Sequence, residues 1–221
     1  MDAVFAFLAA REYAFTEMIV VDDGSRDATA AVVEEYARAH PTVRLLRNPS
    51  NRGKGYAVRH GMLEAKGDWI LYSDADLSAP IEEVDKLFSA AREKDASVAI
   101  GSRALQRQLV SVHQAFPREL SGRVFNLAMR LVTGLPFLDT QCGFKLYRTD
   151  AARAIFPRQI LDGFSFDVED LVIAKELDIP TVEVPVRWAN VEGTKVSLAA
   201  GLKSFSDLLT IRGNRSAGRY R

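Results

Sequence analysis

Short aliphatic and β-branched runs alternate with segments of helical spacing along most of the chain. Met18 to Val21 is such a run and ends in Asp22-Asp23-Gly24-Ser25. Ala28 to Ala39 follows with helical composition, and Ser25 or Asp27 is placed to cap it. Val43 to Leu46 predicts the next strand. A Gly-rich turn, Asn51-Arg52-Gly53-Lys54-Gly55, then enters a helix from about Tyr56 to Ala65. Trp69 to Tyr72 predicts a buried strand with Ser73-Asp74-Ala75-Asp76 at its end. Ile81 to Lys94 has amphipathic helical spacing, and Val98 to Ile100 is a further strand closed by Gly101-Ser102-Arg103. Strands alternating with helices in this way predict an α/β domain with a doubly wound, mostly parallel sheet and helices on both faces.

The second part changes character. From Glu119 to Val132 the residues Leu120, Val124, Leu127, Ala128 and Leu131 share one helical side. Strands are expected at Cys142 to Tyr147 and Val182 to Val186, and helices at Phe166 to Leu177 and Val196 to Ile211. Residues 1–212 read as one domain, a first half to about residue 103 and a second half after it. Residues 213–221 read as a basic, frayed tail.

Composition narrows the function. At 221 residues, 48% hydrophobic and 26% charged, the chain has enough material for one sizeable core. Lys and Arg number 29 and so do Asp and Glu, so no overall field attracts nucleic acid, and any anion site must be local. The single cysteine, Cys142, excludes an internal disulfide and fits a reducing, cytoplasmic compartment. No apolar run approaches the roughly 20 residues that span a bilayer, and Met1-Asp2-Ala3-Val4-Phe5 lacks the basic start of a secretory signal. The expectation is a soluble protein or one peripheral to a membrane. His40, His60 and His113 have no metal-ligand spacing, and Cys142 has no neighbouring histidine to activate it, so it reads as a packed thiol.

In open α/β sheets, ligands bind beyond the carboxyl ends of the strands, where Asp22-Asp23-Gly24-Ser25, Ser73-Asp74-Ala75-Asp76 and Gly101-Ser102-Arg103 fall. A carboxylate there can accept hydrogen bonds from a base or ribose. Two aspartates one residue apart supply hard oxygen ligands for a divalent cation, and arginine suits phosphate oxygens. Each cluster has a plainer explanation: Asp-Asp-Gly-Ser is often a turn with a helix cap, and acidic pairs are common on surface loops. The order and spacing of all three in one βα pattern is what makes them specific.

Together, Val20-Val21-Asp22-Asp23-Gly24-Ser25-Arg26-Asp27, Asn51-Arg52-Gly53-Lys54-Gly55, Ser73-Asp74-Ala75-Asp76-Leu77-Ser78-Ala79-Pro80 and Gly101-Ser102-Arg103 resemble the signature of family 2 glycosyltransferases. With Gln141-Cys142-Gly143-Phe144-Lys145 downstream, the chain is most similar to the dolichyl-phosphate glucose synthase branch, with the mannose synthases as near relatives. The resemblance runs from Met18 to Ile211 and implies a GT-A type fold. It implies inverting, metal-dependent transfer of a hexose, glucose before mannose, from a nucleotide sugar to a polyprenyl phosphate. On that basis Asp22 or Asp23, Arg52, Lys54, Asp74, Arg103 and Lys195 are expected to bind UDP-glucose or another nucleotide sugar. Asp76 is expected to ligate Mg²⁺ or Mn²⁺. Arg118, Arg123, Asn126 and Gln141 are expected on the acceptor side, with Asp167, as a base, and Arg118 as candidate catalytic residues. Trp188 is placed to cover the sugar, although tryptophans more often serve the core.

The Phe116-Pro117-Arg118 and Arg123-Val124-Phe125-Asn126 segments combine arginines with apolar residues, as an anionic lipid head with an apolar tail requires. The same helix would also serve simply to cover the sheet. Carboxylates at Asp167, Glu169 and Asp170 are equally explained by the helix dipole. A lipid acceptor further implies the cytosolic face of a membrane.

One departure stands out. The family opens with a strand leading into a Pro-x-Tyr-Asn-Glu turn, whereas Met1 to Arg11 already reads as the following helix, with Val4, Phe5, Leu8 and Ala9 on one face. A central strand missing from the sheet would expose ladder groups on both neighbours, which leaves open a non-catalytic binding module descended from the enzyme. A nucleotidyltransferase on a similar sheet is a further alternative.

Overall fold

The computed structural model describes residues 1–112, 116–189 and 198–221, without the side chains of 107, 111–124 and 198–202. The chain runs α1 (Asp2–Ala9), β1 (Met18–Asp22), α2 (Thr29–Ala39), β2 (Val43–Arg47), α3 (Lys54–Glu64), β3 (Trp69–Ser73), α4 (Val84–Glu93) and β4 (Val98–Ser102). It continues with β5 (Val110–Val112), α5 (Phe116–Thr133), β6 (Phe144–Arg148), α6 (Thr149–Ile155), α7 (Phe166–Glu176), β7 (Thr181–Pro185), β8 (Trp188–Ala189) and α8 (Leu198–Ser216).

Strand β1 pairs with β2 in parallel, and a separate four-stranded sheet has the order β3-β6-β4-β7. In the larger sheet β4 and β7 are parallel, but β6 lies antiparallel to both β3 and β4. The sheet is therefore mixed, more so than the alternating pattern predicts. The reason lies in connectivity: residues 103–143 leave from the carboxyl end of β4 and return on that side, so the next strand must run the opposite way. The same return carries Gly143 and Lys145 next to the end of β3.

Side-chain alternation divides the core into two layers. On one face Ile70, Tyr72, Val98, Ile100 and Tyr147 pack with residues of α3, α5, α6, α7 and α8. On the other, Ala99, Phe144 and Leu146 pack with Phe7 of α1 and Val84, Leu87 and Ala91 of α4. The result is helices on both sides of a sheet, and the first layer joins the two halves of the sequence into one core. Helix α1 forms where its apolar face predicts. Phe5 stacks on Tyr36 of α2 and on His40 just after it, at 5.5 and 4.4 Å, while Phe7 joins the α4 layer.

The residues after α8 correct the frayed-tail expectation. Gly218, at φ +70°, donates its N–H to the Arg215 carbonyl, and Arg219 donates to that of Asn214. These are the paired bonds of a Schellman reversal, which glycine allows at the left-handed position. The turn sends Tyr220 back into the core, where it is fully buried.

Candidate active site at the carboxyl ends of β1, β3 and β4

The Gly-rich turn is built by Asp23. Its carboxylate accepts from the backbone N–H of Arg52 (3.0 Å) and Gly53 (2.8 Å) and from Asn48 Nδ2 (2.8 Å). A carboxylate at these amides also suits the start of α3, whose dipole is positive there. Asp22 turns the other way: it is buried, accepts from the Ser25 N–H at 2.8 Å, and is held below the usual carboxylate range by its hydrogen bonds with Ser25. His60 Nδ1 lies 2.9 Å from Asn48 Oδ1, so this histidine braces the same turn.

Gly53 has φ +109°, and a Cβ there would lie 2.4 Å from the Asp162 carbonyl oxygen. Between Gly53 and Gly55, Lys54 reaches across to β3 and meets Asp74 Oδ1 at 2.8 Å. Tyr72 donates to the same oxygen at 2.9 Å; burial, then the Asp167 and Asp74 charges, hold the phenol well above its usual pKa, so it remains a donor. Asp76 stands exposed beside this pair, one oxygen accepting the Ser78 N–H at 2.9 Å.

Opposite Asp74 comes the loop before β6. The Asp74 N–H donates to the Gly143 carbonyl at 2.9 Å, and a Cβ on Gly143 would sit 2.0 Å from Asp74 Oδ2. A small cavity of about 10 Å³ remains among Asp74, Ser78, Cys142, Gly143 and Trp188. The Cys142 thiol is pushed up to about 12 by burial, in keeping with a packed, unreactive side chain. Gly143→Ala is expected to displace the Asp74 carboxylate while leaving the fold intact. Turnover should drop on the order of 100-fold, as for an ångström-scale misplacement, with little change in melting temperature. Parallel activity and thermal-melt measurements check both halves of that expectation.

Arg103 extends from the end of β4 and is held by Asp139 through Nε (2.7 Å) and one terminal nitrogen (2.8 Å), with its guanidinium 5.4 Å from the Trp188 ring centre. Burial opposes charge on both groups, yet their attraction outweighs it: Arg103 is raised and Asp139 lowered.

Asp167 is placed behind these residues, buried and bonded to Lys145 Nζ. Lys145 is itself wholly buried in β6 and also lies 3.6 Å from Asp170 Oδ2, which accepts the Tyr147 hydroxyl at 2.6 Å. The Lys54 and Asp74 charges both act on Asp167, so this buried cluster adjoins the open site. Asp170 Oδ1 has no partner among the described residues, and burial raises this carboxyl to about 7.

That shift has a consequence for stability. Asp170 holds its proton in the native state at pH values where the unfolded chain has lost it, so stability falls as pH rises from about 4 to about 7. Asp170→Asn, which keeps an acceptor for Tyr147, is expected to flatten that decline. Urea denaturation at pH 5 and pH 8 measures it.

Of the other expected site residues, Arg52 is exposed, stacked over Tyr56 at 4.2 Å and 3.6 Å from Asp162. Asn126 donates its amide to the Leu138 carbonyl, tying α5 to the loop before β6, and the Gln141 N–H donates to Asp139 at 3.2 Å. Arg118 and Arg123 lie on α5 with side chains outside the described residues, and Lys195 lies outside them altogether. Tyr72 and Asp139 carry no motif that marks them as site residues, and the motif that contains Lys145 does not show its burial. A lysine between Phe144 and Leu146 in a strand was the available signal, because a buried charge requires a partner.

The fold and this strand-end site define a GT-A type glycosyltransferase architecture. Solved structures with it include glucosyl-3-phosphoglycerate synthase from Mycobacterium tuberculosis in complex with UDP (TM-score 0.66, 20% identity, 96% of this chain and 75% of that one). Mannosyl-3-phosphoglycerate synthase from Rubrobacter xylanophilus is another (TM-score 0.65, 18% identity, 99% and 69%). The chain belongs to glycosyl transferase family 2, whose model matches residues 2–156. Similar curated proteins are the dolichyl-phosphate beta-glucosyltransferases of Drosophila melanogaster (38% identity, 89% of this chain and 64% of that protein) and Homo sapiens (36%, 100% and 72%). Dolichyl-phosphate beta-glucosyltransferase ALG5C of Trichomonas vaginalis is 37% identical over 96% of this chain and 65% of its own length. The chain thus spans about two thirds of the length of these relatives.

Proposed function

We propose that this protein transfers glucose from UDP-glucose to a dolichyl-type polyprenyl phosphate with inversion at the anomeric carbon. The observation that carries the reading is the convergence of Lys54 and Asp74 at 2.8 Å beside exposed Asp76, where a nucleotide sugar would lie across the strand ends. The names of the relatives supply the sugar and the acceptor.

In this reading the turn shaped by Asp23, with Asp22 beneath it and Arg52 at its edge, receives the nucleoside. Lys54 and Asp74 orient the ribose and sugar, and Arg103, kept charged by Asp139, lends positive potential at the end of β4. Lys195 is assigned to the diphosphate from the motif alone. The donor set at Asp76 fits Mg²⁺ or Mn²⁺: one exposed carboxylate beside a second, with the remaining oxygens left to diphosphate and water. No group of three or more acidic, histidine or cysteine ligands occurs among the described residues. Bound there, the cation would stabilise charge on the departing UDP; the M. tuberculosis synthase has been solved with Mn²⁺ and UDP-glucose.

A phosphate acceptor is already ionised near neutral pH, so attack on the anomeric carbon requires alignment more than proton removal. Asp167, buried against Lys145, is accordingly assigned to positioning rather than to proton abstraction. Arg118 and Arg123 are assigned to the acceptor phosphate, with Asn126 and Gln141 holding the adjoining loop. No helix among the described residues is long and apolar enough to cross a membrane. Peripheral contact, at the cytosolic face where nucleotide sugars are met, is supported by the exposed Leu127, Leu131 (78% exposed) and Leu209 on α5 and α8. Beside Leu131 lies a recess of about 530 Å³ lined by Arg212, Arg215 and Arg221, the last two paired with Glu176 of the same recess.

The test is a transfer assay with labelled UDP-glucose or GDP-mannose, a polyprenyl phosphate, and Mg²⁺ or Mn²⁺. Glucolipid from UDP-glucose is expected. Product from GDP-mannose alone would reassign the donor, and none from either would sink the reading.

A further inference from the structure

We infer that Tyr220 is a positioning residue for the nucleotide-sugar side of the site, acting through Glu169 and the loop after α6 on the Gly-rich turn. The inference rests on the glucosyltransferase reading for its kinetic consequence and on geometry for its mechanical part. Tyr220, folded back by the Schellman turn, donates its hydroxyl to Glu169 Oε1 at 2.8 Å while Asn214 Nδ2 approaches that hydroxyl at 3.3 Å. Glu169 is wholly buried, and its other oxygen accepts the backbone N–H groups of Ile160 (3.1 Å) and Leu161 (2.7 Å).

Those two amides sit at the start of a loop that walls the Gly-rich turn. The Tyr56 N–H donates to the Asp162 carbonyl at 3.2 Å, and Gln159 Nε2 bridges the carbonyls of Gly55 (3.0 Å) and Leu161 (2.8 Å). Arg59 closes the same corner, donating to the Gln159 carbonyl and to Asp162 Oδ1 at 2.8 and 2.9 Å. The approach is so close that a Cβ at Gly53 or Gly55 would fall 2.4 Å from the Asp162 carbonyl or 2.6 Å from that of Leu161. A shift of the loop must therefore move the turn that carries Lys54 and, through it, the contact with Asp74. Backbone packed this tightly transmits displacement rather than absorbing it.

Burial and Glu169 both raise the Tyr220 pKa, so the hydroxyl stays a donor through the working pH range. Its loss leaves a buried carboxylate oxygen without that partner, which weakens the hold on the loop.

Tyr220→Phe keeps the ring and removes only the donor. UDP binding, followed by calorimetry, and the KM for UDP-glucose should weaken on the order of tenfold, the usual scale for losing a hydrogen bond to a charged group. The KM for the lipid phosphate should stay within about twofold, a split from the donor side that general destabilisation would not produce. Amide hydrogen exchange is expected to speed up at 160–162 and 53–56 and to stay unchanged in β4 and β7, regardless of any activity. Unchanged exchange at both segments would overturn the inference. So would equal UDP affinity in the two proteins when the parent binds UDP. If the parent does not bind UDP, the donor assignment fails instead, and exchange alone decides the mechanical coupling.

Discussion

Lys145→Met is expected to destabilise the protein by about 3–5 kcal/mol, the cost of removing one partner from a buried ion pair. Lys145, Asp167 and Asp170 are all buried, and the ammonium meets both carboxylates. Methionine matches the lysine stem in volume, so the loss is electrostatic rather than a cavity. Asp167 and Asp170 then face each other without a cation, and the cheapest response is for them to hold protons to higher pH. The destabilisation should consequently shrink as pH falls toward 4, where protonated carboxyls need no counter-charge. Urea denaturation of both proteins at pH 5 and pH 8 measures the difference. A loss that is equal at the two pH values would show that packing, not charge, is what Lys145 provides.

The largest effect on activity is expected from Asp76→Ala. Asp76 is exposed, and its one bond to a described residue, from the Ser78 N–H, shapes the turn in which Leu77 takes φ +50°. Alanine should therefore leave the fold nearly unchanged and remove the carboxylate best placed for a cation. Charge stabilisation of a leaving diphosphate is worth several kcal/mol, which corresponds to a loss on the order of 10²–10³-fold in kcat. The variant should also lose the dependence of UDP-glucose binding on added Mn²⁺. Binding that stays equally metal-dependent would move the metal to other ligands. Asp74 is the less informative position to substitute, because Lys54 and Tyr72 both rest on it and its loss would disturb the turn as well.

The linear chain made most elements legible because they are local. Five-residue strands at Met18–Asp22, Trp69–Ser73 and Val98–Ser102 follow directly from β-branched and aromatic runs ended by Asp, Ser and Gly. The apolar stripe of α4 and the helix at Asp2–Ala9 were likewise visible in spacing. The candidate site was legible as far as its motifs lie at strand ends, with Asp22 closing β1, Asp74 following β3 and Arg103 following β4.

Tertiary structure decided what depends on return paths and on pairing between distant segments. Nothing local distinguishes β6 from a parallel strand; its antiparallel course follows from the excursion after β4 ending on the side where it began. That course delivers Gly143 against Asp74 and sets Lys145 opposite α7, so a lysine known from the sequence only as part of a strand motif meets the carboxyl groups of buried Asp167 and Asp170. The same holds for Arg103, whose fork meets Asp139 across 36 positions, and for Tyr220, which reads as part of a loose basic tail but reaches Glu169 across 51. Periodicity and composition record which way a residue prefers to face. Which charge it meets there is fixed only when the sheet order and the loops are closed, because a buried polar group is stable only with a partner that the fold, not the neighbouring sequence, provides.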